Sequence, residues 1–350
     1  MTDPSALLWR LAVLGSPKVL LLAVLLVSST PRLFCDGKEL TVIELFAGSA
    51  TLTRMMQKAG HVAARLDLKY ATEQCGSSMD INSPSGMALA IAVIMRGSSS
   101  GCLVHFGICC SSWTSMNVGT SGRSTCSSYG NTSHPSVRSA NKMCARVCLL
   151  ILLVVALGAT YTLEQPAGSL LEYFPLFRHV LQRVQQWGGD ISVNRVRWWM
   201  GNYGCSTPKP HYLYSNSPAA LGIWNGKLQP GIRGSSRKAR SKTTKRYTDV
   251  KGKACWTGTR HLKATEQYPE QFGRRMVELL KDLLEERAGC PALPTPLPSI
   301  VETCSSVAWT DVWVEADMWE VLVYLRGSRS LSLESQHRGL FPDSLPEGLA

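Results

Sequence analysis

The sequence predicts an α/β fold, with a mostly parallel sheet carrying helices on both faces, and three observations predict it. Residues Thr41 to Leu68 read as strand, small-residue turn, helix and strand. Further along, short apolar runs keep alternating with helix-length apolar or amphipathic segments, the pattern of βαβ units. The chain of 350 residues is 45% apolar and 18% charged, which gives a globular core rather than a disordered chain.

Residues 1–36 are expected to stand apart. Leu7 to Val27 is apolar but interrupted by Arg10, Pro17 and Lys18, and its unbroken core, Val19 to Val27, is short for a membrane span. It fits a signal peptide or anchor that would contact a membrane and send the chain to a secretory, membrane or organelle destination. The core is expected over 37–215. Thr41 to Phe46 reads as a buried strand, Ala47 to Ala50 as a turn, and Leu52, Met55, Met56 and Ala59 as one face of a helix stopped by Gly60. His61 to Leu66 is a second strand with Asp67 at its tip. In nucleotide-type α/β folds the ligand lies over the carboxyl ends of the strands. The small turn lets backbone approach it, and the acid accepts from a ribose.

Met79-Asp80-Ile81 leads to a helix opened by Ser83-Pro84, and Leu103 to Phe106 is a short strand. The loop Gly107 to Trp113 holds Cys109 and Cys110. Asn117 to His134 is a polar loop, read as either a mobile active-site loop or a disordered one. Val137 to Gly158 is a buried helix, followed by a strand ending in Glu164. Leu170 to Trp187 is an amphipathic helix, and Asp190 to Gly201 alternates as a strand carrying Arg195 and Arg197. TPKP, Thr207 to Pro210, bends into a last strand.

Residues 216–265 are expected to form a basic insert or small recognition segment, 266–288 a helix packing back on the core, and 289–350 a Pro-rich linker and tail. Arg233 to Arg246 holds Arg233, Arg237, Lys238, Arg240, Lys242, Lys245 and Arg246. With a net charge of +12, this run suits nucleic acid, although such runs are most often solvated loops. The twelve cysteines show no paired metal-ligand spacing, so no metal site is expected, and their placement in apolar stretches suits a reducing compartment.

ELFAGSATLTRMMQKAG resembles the first motif of S-adenosylmethionine-dependent methyltransferases, and most closely that of the cytosine-C5 DNA methyltransferases. The resemblance covers Val42 to Tyr214 and implies a Rossmann-like sheet of seven mostly parallel strands. It implies S-adenosyl-L-methionine held by Phe46, Ala47, Gly48, Asp67 and Asp80. It further implies Cys110 as nucleophile (Cys109 second), Glu164 as the group holding the base, and Arg195 and Arg197 as substrate contacts. A thiolate there would add to cytosine C6 so that C5 accepts the methyl group. The chain departs from the family in lacking the proline before the cysteine. Two alternatives remain: a degenerate member binding nucleic acid, and methylation of RNA or protein. LFAGSA, CSSW, LEQP and TPKP are also similar to blocks in proteins from dinoflagellate genomes, a likeness that implies no activity.

Overall fold

The computed structural model describes residues 3–29, 39–71, 76–98, 100–205, 207–229, 244–248, 250, 252, 254–258, 265–287, 289–309 and 311–327. Six strands form one mixed sheet: β1 Val42–Leu45, β2 Ala63–Leu66, β3 Leu103–Phe106, β4 Thr160–Pro166, β5 Asn194–Trp199 and β6 Pro210–Ser215, in the order β2-β1-β3-β4-β6-β5. β1 to β4 pair in parallel, and β6 runs against both β4 and β5. The seven strands expected in the main sheet are therefore six among the described residues. After Asp67 the chain makes the single turns Leu68–Tyr70 and Gly76–Met79.

Right-handed crossovers place a helix on one face when the chain moves one way along the sheet, and on the other face when it reverses. α3 Thr51–Lys58 joins β1 to β2. α4 Pro84–Met95, α6 Pro135–Ala156 and α7 Pro175–Gly188 follow the reversal, with the one-turn α5 Val118–Ser121 between α4 and α6. α3 shares its face with α8 Glu270–Glu285. There Leu52 and Met56 meet Trp198, Phe272 and Met276. On α8 Gly273 allows a close approach, since a Cβ there would lie 2.7 Å from Met55 Cγ. The larger core lies on the other face.

Both ends of the chain join that larger core. α1 Pro4–Val13 and α2 Lys18–Ser28 bury Leu7, Leu8, Leu11, Leu20, Leu21 and Val27 almost completely. From α7, the Arg183 guanidinium donates to Val13 O and Leu14 O, and Trp187 Nε1 donates to Val13 O at 3.1 Å. So residues 4–28 pack inside the fold rather than standing apart. Helices that pack most of their apolar surface on a core are apolar over much of their circumference, which makes them read like a leader. Residues 30–38 lie outside the described residues. In the same way, α9 Ile300–Ser306, the turn Asp311–Ala316 and α10 Met318–Gly327 return to the core, where Ala316 and Val321 are fully buried. These parts of the expected linker and tail belong to the core, while residues 328–350 lie outside the described residues.

α6 is long and apolar enough to cross a membrane, but 83% of its apolar window is buried within this fold. In its middle, the buried Arg146 donates to the carbonyls of Ile81, Ser83, Ala316 and Asp317 and to Glu320. Residues 216–265 hold a hairpin, β7 Thr244–Thr248 against β8 Ala254–Gly258.

Candidate functional site

The chain runs from β1 out to the edge strand β2 and then back past β1 to β3, so the connections leaving the neighbours β1 and β3 go opposite ways. A crevice outside the carboxyl ends of β1 and β3 is where such sheets bind ligands. Its first wall is the turn after β1. Phe46, Gly48 and Ala50 there have φ of 60°, 55° and 52°. Left-handed backbone at a bulky residue such as Phe46 costs about 1 kcal/mol or more and persists where the surroundings impose it. Phe46 N–H donates to Leu66 O at 2.7 Å, and Asp67, at the tip of β2, holds the turn at Gly48. Its Oδ2 accepts Gly48 N–H at 2.9 Å and its Oδ1 accepts Lys69 N–H at 2.8 Å. Tyr70 OH donates to Gly48 O at 2.8 Å, with the Arg65 guanidinium 3.7 Å over the Tyr70 ring.

Beneath the turn lies Glu44, fully buried on β1. Its Oε2 accepts Thr53 N–H at 2.8 Å and Thr53 Oγ1–H at 2.6 Å, and so closes the start of α3, which Ala50 leaves without a side-chain cap. Glu44 Oε1 has no partner. Burial outweighs these bonds and pushes the carboxyl up to about 7. Asp80 starts the approach to α4, its Oδ1 accepting Asn82 N–H at 2.9 Å.

The second wall is the loop after β3. Gly107 leaves room here, because a Cβ would lie 2.9 Å from the Tyr268 hydroxyl and 3.2 Å from Phe46 O. Gln165 Nε2 donates to Ile108 O at 2.7 Å, and Trp113 and Thr114 N–H both donate to Cys110 O. Cys109 is exposed and Cys110 half-buried. The polar loop that follows is held by Arg123, whose buried guanidinium lies 3.6 Å over the Trp113 ring and donates to Ser112, Ser128 and Asn141. It is therefore an ordered loop stitched to the cysteine loop, not a free one. Arg123→Met is expected to speed proteolytic nicking between Ser112 and His134 by roughly tenfold, read by limited proteolysis and mass spectrometry.

Period-two alternation puts Glu44, His105, Thr162, Glu164 and His211 on one face of the sheet, beneath Tyr268. Tyr268 OH donates to Glu164 Oε2 at 2.9 Å. With its single proton used there, Tyr268 must accept at 3.1 Å from His105 Nε2–H, and Thr162 Oγ1–H then donates to His105 Nδ1 at 2.9 Å. Burial pushes His105 down to about 4, with Glu164 offsetting part of this, so the ring is neutral at pH 7. Glu164 Oε1 meets His211 Nδ1, and the buried His211 ring stacks on Trp198 with its Nε2 unpartnered. Burial alone would raise the Glu164 carboxyl. His211, by charge and by hydrogen bond, then Lys209 and the Tyr268 hydroxyl, overcome it and hold it at about 2. Burial pushes the Cys110 thiol up to about 11. Lys209 pulls against that, while Glu164, Cys109 and Glu266 add to it.

The fold thus brings the Phe46–Gly48 turn to Asp67, and it ties the cysteine loop to the end of β4 through Gln165 and Ile108, so that the charge of Glu164 is felt at Cys110. It does not bring Arg195 and Arg197 to Glu164, because they lie on the opposite face of the sheet. Arg195 pairs with Glu172 at 2.6 Å and lies over Tyr212, and Arg197 lies over Trp199. Lys245 and Arg246 are exposed on β7, while Arg233, Arg237, Lys238, Arg240 and Lys242 lie outside the described residues. Among the described residues no cluster of His, Cys, Asp or Glu is arranged to hold a metal ion. Sequence reasoning missed Glu44, His105, Lys209, His211 and Tyr268. The available signal was a polar residue inside a four-residue buried strand, Glu44 in VIEL and His105 in LVHF. No family model, curated protein or solved structure matches this chain.

Proposed function

We propose that the chain binds S-adenosyl-L-methionine in the crevice between β1 and β3 and serves methyl transfer to a nucleic acid, with cytosine C5 as the acceptor that the Cys110–Glu164 pair would suit. The observation that carries this is the strained turn locked to an acid at the next strand tip. The residues present fit the group. Among the described residues, no atom outside Gly48 and its two chain neighbours lies within 4 Å of where a Gly48 Cβ would be, so the turn faces open space there. Asp67 accepts two backbone N–H groups and keeps acceptor capacity for ribose hydroxyls. Phe46, Ala47 and Gly48 would carry the methionine end and Asp80 the adenine. When bound, this cofactor supplies an electrophilic methyl group. Exposed Lys245 and Arg246, with the basic run before them, would meet phosphates, and that binding should weaken with salt.

One observation favours a second reading, a binding module without the chemistry. Cytosine methylation calls for a thiolate and for an acid that donates to the base. Here Cys110 is protonated at neutral pH, and Glu164 is ionised with both oxygens engaged.

Calorimetric titration of the full-length chain tests the first reading. S-adenosylmethionine is expected to bind with a Kd of about 1 to 100 μM, and Asp67→Ala to weaken it at least about tenfold. Absence of binding heat from folded protein would sink the enzyme reading and leave the second.

A further inference from the structure

We infer that Arg146, with Ser139 on the same face of α6, is a positioning residue that presents Asp80 to the adenine of the cofactor. The inference rests on the reading of the crevice as a cofactor site.

The place of Asp80 is the first observation. α4 carries the chain from the carboxyl edge of the sheet, where β2 ends, back to the start of β3. Asp80 stands just before α4 and so lies at the edge that holds the crevice. Its Oδ1 accepts Asn82 N–H, and among the described residues nothing bonds its Oδ2. The backbone around it is closely packed. Asp80 O accepts Ser83 N–H at 2.9 Å, and a Cβ on Gly86 would lie 1.9 Å from the same oxygen.

The second observation is what holds this turn from outside. Arg146 is fully buried in the middle of an apolar helix, where a charge is costly unless it is paired and hydrogen-bonded. A guanidinium carries five N–H groups, and here all five are used. Nη1 donates to Ile81 O at 2.7 Å and to Ser83 O at 2.8 Å. Nε donates to Ala316 O at 2.8 Å, and Nη2 donates to Asp317 O at 3.0 Å and to Glu320. Glu320, shared with Lys142, is the carboxylate that answers the charge. Seven residues before Arg146, on the same helix face, Ser139 accepts the Asn82 amide, at 2.9 Å on its hydroxyl and 3.2 Å on its carbonyl. Each of the three residues after Asp80 is thus bound by α6, while Arg146 is itself braced by the C-terminal turn and α10. Buried ion pairs are often no more stabilising than apolar packing, so stability alone does not account for an arginine here. A rigid fork that holds two carbonyls of one turn and two of another fixes their geometry, and with it the direction of Asp80.

Calorimetric titration of the full-length chain with S-adenosylhomocysteine and with its inosine counterpart tests this. The ligands differ at one position of the base, where an amino group that donates to a carboxylate is replaced by a carbonyl oxygen that cannot. The parent is expected to bind the adenine form about tenfold to a hundredfold more tightly. Arg146→Met is expected to shrink that ratio at least about fivefold, while the inosine form stays within about threefold of the parent. Ser139→Ala removes one tie to the same turn from an exposed position. It is expected to shrink the ratio about twofold to threefold, and it decides alone where the Met variant does not fold. Leu152→Ala, at another fully buried residue of α6, is expected to lower stability and keep the parent's ratio, because none of the bonds to the turn runs through it. Unchanged ratios in the folded Arg146 and Ser139 variants overturn the inference, and so does an equal fall in Leu152→Ala. A parent that binds the two forms alike also overturns it. No binding of either form by the folded parent is a different result, which removes the proposed function and this inference with it.

Discussion

Replacing Leu11 with alanine is expected to lower the unfolding free energy by about 3 kcal/mol, the same range as Leu152→Ala in α6. Both side chains are fully buried in one core. α1 rests against α2, α6 and α9, and the Arg183 and Trp187 side chains fasten its last carbonyls. A deleted buried leucine side chain loses its transfer free energy and leaves a cavity that the neighbours fill only in part. A helix outside the fold would lose neither, and Leu11→Ala would then be nearly neutral. Urea unfolding of the two variants beside the parent separates these cases. A large loss for Leu152→Ala with none for Leu11→Ala would detach the N-terminal hairpin from the core. Removing α1 and α2 would strip buried leucines from the core, so binding is measured on the full chain.

What the sequence made legible was local. The β1–turn–α3–β2 unit was readable because strand alternation, small turn residues and helical spacing all lie within thirty neighbouring positions. The cysteine loop and the Glu164 strand end were readable for the same reason. The insertion of β6 between β4 and β5 was not, because strand pairing is set by contacts between distant segments and leaves little trace in either segment alone. Nor was the group around Glu164. His105, Glu164, His211 and Tyr268 are spread over more than a hundred and sixty residues, and only period-two placement on neighbouring strands, with one tyrosine from beyond the basic insert, assembles them. Arg195 and Arg197 show the converse error. Their i, i+2 spacing did put them on one strand face, but sequence gives no sign of which face, and it is the face away from Glu164.

Glu44 gives the second large expectation. Its folded pKa is raised from 4.5 to about 7, first by burial, against the bonds from Thr53 and Leu52 that favour the carboxylate. A group raised in this way contributes stability that is fully present below about pH 4.5 and is lost as pH rises through about 7. By linkage the loss amounts to about 3 kcal/mol. Between about pH 5 and pH 8 the parent should therefore lose stability relative to Glu44→Gln, which keeps an oxygen for Thr53 but has no charge to bury. Urea unfolding of both proteins at the two pH values reads the difference, and parallel curves would refute it. The consequence reaches the crevice. Ionising Glu44 loads a charge under the start of α3, directly below the strained Phe46–Ala50 turn, whose geometry rests on that helix and on Asp67. Glu44→Gln should then leave the turn equally formed at both pH values. In the parent, backbone amide exchange at Gly48 and Thr53 should speed up as pH rises, beyond the intrinsic increase that the variant shows.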